Sequence, residues 1–120
     1  MNKLALIIED DEDLSAIFAE AINAAGFEVE KISDGIKAEE RLNETQPYLI
    51  ILDMYLPHIS GESLIKKIKS EERLKDAIVI VTTADARLAE MYQNVADFVM
   101  VKPISYVQLR DLTARLQPQK

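Results

Sequence analysis

The chain has 120 residues, 48% of them apolar, and carries 14 Lys and Arg against 21 Asp and Glu, a net charge of −7. That length holds one domain with one proper core, and the apolar content excludes disorder. Zero cysteines exclude disulfides and thiolate metal sites, a single histidine (His58) excludes a multi-His metal cluster, and the acidic balance argues against nucleic-acid contact by this segment alone.

Met1 leads into a charged, strand-like start rather than a signal peptide, and no apolar run approaches the ~20 residues of a membrane span, so a cytoplasmic chain is expected. Leu4 to Ile8 predicts a first strand. Leu14, Ile17, Phe18, Ala21, Ile22 and Ala25 then recur at helical spacing, with Gly26 placed as a capping glycine. Phe27 to Ile32 predicts a second strand. The turn Ser33-Asp34-Gly35 leads into a short helix from about Ile36 to Asn43. Tyr48 to Leu52 predicts a third strand, and Leu64, Ile65 and Ile68 mark a helix after Gly61. Ile78 to Thr83 predicts a fourth strand, followed by a helix marked by Leu88, Met91, Tyr92 and Val95. Phe98 to Val101 is the fifth strand. Val107, Leu109, Leu112 and Leu116 mark the last helix, with Ser105 as its N-cap, and residues 117–120 read as a fraying tail.

The first, third and fourth strands are almost continuously apolar, as strands buried on both faces are. Five β-α units with right-handed crossovers predict one α/β domain over residues 1–120, a three-layer, doubly wound sandwich with its core over about 3–116.

Ligands of such open sheets bind at the carboxyl ends of the strands. The polar residues there are Glu9 and Asp10 after the first strand, Asp53 after the third, Thr82 and Thr83 at the end of the fourth, and Lys102 before Pro103 after the fifth. Asp11 to Asp13 suit a helix cap and first turn instead, where acids complement the helix dipole. No Gly stands where an EF-hand loop needs one. Three carboxylates at one edge repel, and hard oxygen donors of this kind suit Mg²⁺. Glu9, Asp10 and Asp53 contribute −3 and Lys102 +1, so a divalent cation would bring the site to zero. The Lys102 amine could reach a phosphoryl oxygen as a point charge. Thr82 and Thr83, as strand neighbours, face opposite sides of the sheet. His58, beside Pro57, reads as a loop residue. GxGxxG, GxxxxGK[ST] and GxSxG are all absent.

The ordered set Glu9-Asp10, Asp53, Thr83 and Lys102-Pro103 resembles the receiver domain of bacterial response regulators over about residues 3–116. Leu52-Asp-Met-Tyr-Leu-Pro57 with Gly61 resembles the family's phosphoacceptor turn, Ser33-Asp34-Gly35 its loop after the second strand, and the interval 83 − 53 = 30 its usual spacing. The resemblance implies the CheY-like, flavodoxin-like sheet order 2-1-3-4-5. It implies that Asp53 is the phosphoacceptor, forming an aspartyl phosphate with a phosphoryl group from a sensor histidine kinase or histidine phosphotransfer protein. Asp10, with Glu9 directly or through water, Asp53 and the Tyr55 backbone carbonyl would hold Mg²⁺, with Mn²⁺ able to substitute. Lys102 would hold a phosphoryl oxygen, next to a cis bond to Pro103, and Thr83 would turn inward to the phosphoryl group. The result is a signalling module, not an enzyme beyond its own phosphorylation and dephosphorylation. It acts on a downstream output protein or domain, off the membrane and without touching nucleic acid, as a monomer or weak dimer. Tyr55 and Asp85 occupy positions that tune dephosphorylation in the family.

Two departures stand out. Val99 occupies the place of the family's usual aromatic three residues before the lysine, with Phe98 one residue off. The interval 102 − 83 = 19 is about three short of many members, so the fourth helix or its preceding loop is shortened. An output driven by an aromatic swing is therefore expected to be absent. The alternatives are a pseudo-receiver that keeps the fold without phosphorylation, or the excised receiver of a larger transcription factor or hybrid kinase. An aspartyl phosphatase needs a second Asp where Tyr55 stands, and a flavodoxin-like nucleotide binder needs a Ser/Thr/Gly-rich loop where this chain has acids.

Overall fold

The computed structural model describes residues 3–118. Five strands, β1 (Leu4–Ile8), β2 (Glu28–Ile32), β3 (Leu49–Asp53), β4 (Ile78–Thr83) and β5 (Phe98–Val101), alternate with five helices. These are α1 (Glu12–Ala24), α2 (Gly35–Glu44), α3 (Gly61–Ser70), α4 (Ala86–Tyr92) and α5 (Tyr106–Arg115). All pairings are parallel and the strand order is β2-β1-β3-β4-β5. The order turns back between β1 and β3, so their carboxyl ends flank the crevice where such sheets take ligands.

Strand alternation splits the core in two. Leu6, Ile8, Ile50, Leu52, Val79 and Val81 face one way and pack with Ala38 and Leu42 of α2 and Leu64, Ile65 and Ile68 of α3. Ala5, Ile7, Leu49, Ile51 and Ile80 face the other way and pack with Phe18, Ala21 and Ile22 of α1 and Leu109 of α5. β3 is buried throughout, whereas β2 and β5 are half open, as edge strands are.

The helices start where their sequences provide caps. Asp11, Asp34, Ser60, Asp85 and Ser105 each accept a backbone N–H from the first turn that follows. Ser105 and Gln108 form a reciprocal capping box. Gly26 ends α1 in the left-handed region, φ 102°.

Several boundaries and faces differ from the sequence reading. Phe27 precedes β2, Tyr48 precedes β3, and Asp53 is itself the last residue of β3. Val95 lies beyond α4, which ends at Tyr92, so the four-residue apolar spacing there outlasts the helix. Ile17, Met91 and Val107 share their helices' apolar spacing yet are exposed. They sit at the margin of stripes whose centres (Phe18 and Ile22 on α1, Tyr92 on α4, Leu109 on α5) are buried.

Candidate functional site at the carboxyl edge of the sheet

β1 runs into an acid and β3 ends on one because their apolar runs stop there. Ile8 and Leu52 are adjacent in register and fully buried, so Glu9 and Asp53 emerge side by side. Glu9 is anchored by its own N–H donating to the Ile32 carbonyl at 3.0 Å and is 1% exposed. Asp53 is likewise buried, while Asp10 is exposed. One oxygen from each of Glu9, Asp10 and Asp53 can be chosen so that all lie within 4.8 Å of one another.

Lys102 reaches this group from the end of β5. Its backbone N–H continues the ladder to the Thr83 carbonyl at 2.8 Å. Its Nζ donates to Glu9 Oε1 at 2.8 Å and to Asp53 Oδ2 at 3.3 Å. The bond from Lys102 to Pro103 is cis. Two backbone donors complete the enclosure: the Tyr55 N–H donates to Asp53 Oδ1 at 3.1 Å, and the Asp11 N–H to Glu9 Oε2 at 3.1 Å.

The loop after β3 closes back on itself. The Gly61 N–H donates to the Met54 carbonyl at 3.3 Å. A Cβ at Gly61 would sit 2.6 Å from Met54 Cα and 2.7 Å from the Asp53 carbonyl oxygen, so only glycine allows this approach. His58 adopts φ 72° within this loop.

Burial pushes the Glu9 carboxyl above the ordinary glutamate range. Lys102 and the Asp11 N–H pull it down, while Asp53 pushes the same way as burial. Burial also works against the charge on Lys102, but the hydrogen bond to Glu9 and the charge of Asp53 outweigh it and hold the ammonium above its ordinary value. One ammonium thus serves two buried carboxylates, with a third carboxylate beside them. That set has excess negative charge and hard oxygen donors, which fits a Mg²⁺-type ion.

The two threonines at the end of β4 part company. Thr83 shares a face with Val79 and Val81, and its Oγ1 accepts the Asp85 N–H at 3.0 Å. Thr82 lies in register with Asp53, is 1% exposed, and its Oγ1 has no hydrogen-bond partner. Asp85 in turn accepts from the Tyr55 hydroxyl at 3.4 Å. The structure therefore brings Glu9, Asp10, Asp53 and Lys102 together, with the Tyr55 backbone against Asp53. Thr83 stands on the neighbouring strand, its hydroxyl held by the Asp85 backbone. The sequence reading missed the Asp11 and Tyr55 N–H donors, because backbone donors carry no side-chain signature. Strand alternation at Thr82-Thr83 signalled that the two hydroxyls face opposite sides, but not that the Thr82 hydroxyl has no partner.

Fold and site together define a single doubly wound α/β domain with a buried, lysine-bridged acidic site at the carboxyl edge of its sheet. A family profile described as response regulator receiver domain matches residues 5–114, and the chain belongs to that family. It is 36% identical over 106 residues to the phosphate regulon transcriptional regulatory protein PhoB of Rhizobium meliloti (strain 1021), covering 86% of this chain and 47% of that protein. It is 33% identical over 108 residues to the polar-differentiation response regulator DivK of Brucella ovis, covering 88% of each. The chain thus spans about half the length of the first relative and nearly all of the second. In fold it is similar to the chemotaxis response regulator CheY4 of Vibrio cholerae, with a TM-score of 0.86 at 21% identity over 97% of this chain and 99% of that one. The protein is a receiver domain of the two-component response-regulator type, a signalling module. Among the described residues no helix is long and apolar enough to cross a membrane.

Proposed function

We propose that Asp53 accepts a phosphoryl group from the phosphohistidine of a histidine kinase or phosphotransfer protein and that the modified edge signals to an output partner. The observation that supports this best is the Asp53 carboxylate itself, buried, held on one oxygen by the Tyr55 N–H and on the other by the Lys102 ammonium. In the transfer, an Asp53 oxygen attacks phosphorus, the P–N bond to the donor imidazole breaks, and the freed nitrogen takes up a proton. Little covalent work falls to the protein, so positioning and charge neutralisation dominate.

Glu9, Asp10 and Asp53, with the Tyr55 carbonyl, would hold Mg²⁺, which supplies neutralisation of phosphoryl charge when bound. Lys102 holds one oxygen of the Asp53 carboxylate in the resting state and would follow the negative charge to a phosphoryl oxygen. Thr83 would exchange the Asp85 N–H for the phosphoryl group, releasing the loop that opens α4. Val99 is part-buried against the α2–α4 face of the sheet and offers no ring to swing, so the response is expected to run through Thr83, Asp85 and α4.

The test is incubation with phosphoramidate and Mg²⁺, followed by intact mass. The protein should gain the mass of one phosphoryl group, and Asp53→Asn should gain none. Equal labelling of both, or labelling of neither, contradicts the proposal.

A further inference from the structure

We infer that Thr82 is a positioning residue for the site, its hydroxyl serving as the alternative acceptor for the Lys102 ammonium when a divalent cation takes the Glu9 and Asp53 oxygens. The inference deepens the reading of the site given above and rests on it.

Thr82 is the second-last residue of β4, flanked in register by Asp53 on β3 and Met100 on β5. Its strand-face companions Ile78 and Ile80, with Met100, pack on the α1–α5 side of the sheet. Asp53 lies on that side too, two residues beyond Ile51. Neighbouring strands lie about 4.8 Å apart, so the Thr82 side chain sits beside the base of the Asp53 side chain. The backbone ties the two ends, with the Met54 N–H donating to the Thr82 carbonyl at 3.3 Å.

Among the described residues, Thr82 Oγ1 alone is a buried side-chain polar atom without a hydrogen-bond partner. Buried hydroxyls ordinarily have one, and leaving one unmade is costly. An apolar residue would fill the position without that cost, since Val79, Ile80 and Val81 do so along the rest of the strand. The hydroxyl is therefore suited to a second state of the site in which a donor turns to it.

Lys102 is that donor. Its ammonium has three hydrogens, and Glu9 and Asp53 engage two. A divalent cation entering between Glu9, Asp10 and Asp53 competes for those same oxygens and repels the ammonium. The displaced ammonium, on a side chain only 18% exposed, can turn either to solvent or to a nearby acceptor, and Thr82 Oγ1 is a buried acceptor on the same side of the sheet with two lone pairs free for it. By receiving the lysine, Thr82 lowers the cost of seating the cation and keeps the amine beside Asp53.

The experiment compares wild type, Thr82→Val and Thr82→Ser by thermal melting without divalent ions and by calorimetric titration with Mg²⁺, with Asp53→Asn as control. Without ions, Thr82→Val should melt higher by about 3 °C, because an unsatisfied hydroxyl is gone. Its Mg²⁺ affinity should fall at least about threefold, since the released ammonium has no second partner. Thr82→Ser should restore both values to the wild-type level. A Thr82→Val protein that melts higher but binds Mg²⁺ as wild type does would show a merely tolerated hydroxyl and overturn the inference. So would a serine variant that behaves like valine. If wild type and Asp53→Asn bind Mg²⁺ alike, the reading of the site itself fails, and the inference goes with it.

Discussion

The centre of the sheet and its two flanks are built on different terms. β1, β3 and β4 are enclosed on both faces, and Glu9 just after β1, Asp53 at the end of β3 and Thr83 at the end of β4 inherit fixed positions from the buried Ile8, Leu52 and Thr82 before them. The flanks are looser. The seven-residue α4, the turn after it and β5 leave Met91, Val95, Phe98 and Val101 exposed, and β2 is fastened to α2 by the Glu30–Arg41 pair, with Arg41 Nε donating to Glu30 at 2.5 Å. The difference teaches where to look for each part of a switch. Chemistry that needs carboxylates held against their mutual repulsion belongs on the rigid centre, and a response that needs movement belongs on a flank with little to lose.

The comparison breaks most readily at its chemical end. Lys102→Met should slow phosphorylation by phosphoramidate about a hundredfold, the order expected for losing one charged donor to the transferring group. It should also lower the melting temperature without divalent ions, because two buried carboxylates lose their shared cation, and Mg²⁺ should recover part of that loss. A rate within a few-fold of wild type would show that the lysine is only structural.

Next in size is packing. Ile80→Ala, in the middle of β4, should cost about 2–5 kcal/mol in chemical denaturation, whereas Met91→Ala on the exposed flank should stay within about 0.5 kcal/mol. Similar costs at the two positions would erase the distinction between centre and flank.

Smaller still is the conformational response. Beryllofluoride with Mg²⁺ should shift the amide resonances of Thr83, Asp85 and Ala86, with little change at Val99. A large change at Val99 would mean that β5 rearranges without an aromatic ring.

The smallest effect concerns the opposite flank. The hydrogen bond to Arg41 holds Glu30 below the ordinary glutamate value of 4.5. A lowered carboxyl stabilises the fold above the unfolded value and loses that contribution as the pH falls through the folded one. Arg41→Ala should therefore melt slightly below wild type at neutral pH, and the two curves should converge under acid conditions below pH 4.5. A gap that widens in acid would reverse the sign.

Much of this arrangement was legible in the sequence, and the parts that were not have physical reasons. The runs Leu4 to Ile8, Ile78 to Thr83 and Phe98 to Val101 predicted β1, β4 and β5 to the residue, because each is an unbroken apolar and β-branched run, bounded by charged residues in β1 and β5 and closed by the threonines in β4. Asp53 was recognisable as a strand end from Tyr48 to Leu52 alone. The cis bond to Pro103 and the sheet order came only through resemblance to receiver domains, since neither local pattern nor composition specifies them. The extent of α4 was not legible, because a helix of two turns presents too few apolar residues to fix its end, and Val95 continues the spacing past it. Nor could the sequence show that one lysine spans 93 residues to Glu9 and 49 to Asp53. The parity of Thr82 and Thr83 was readable from strand alternation, but the empty hydrogen-bonding capacity of Thr82 depends on what three strands bring around it.

The central claim is that phosphoryl chemistry takes place on Asp53. Borohydride reduces an acyl phosphate to an alcohol, so phosphorylated protein treated in this way and digested can be sequenced by tandem mass spectrometry. The account predicts conversion of residue 53 to homoserine, dependent on Mg²⁺ and on the phosphodonor. Conversion at Glu9, Asp10 or another acid, or no conversion in protein that carries the phosphoryl mass, would contradict it.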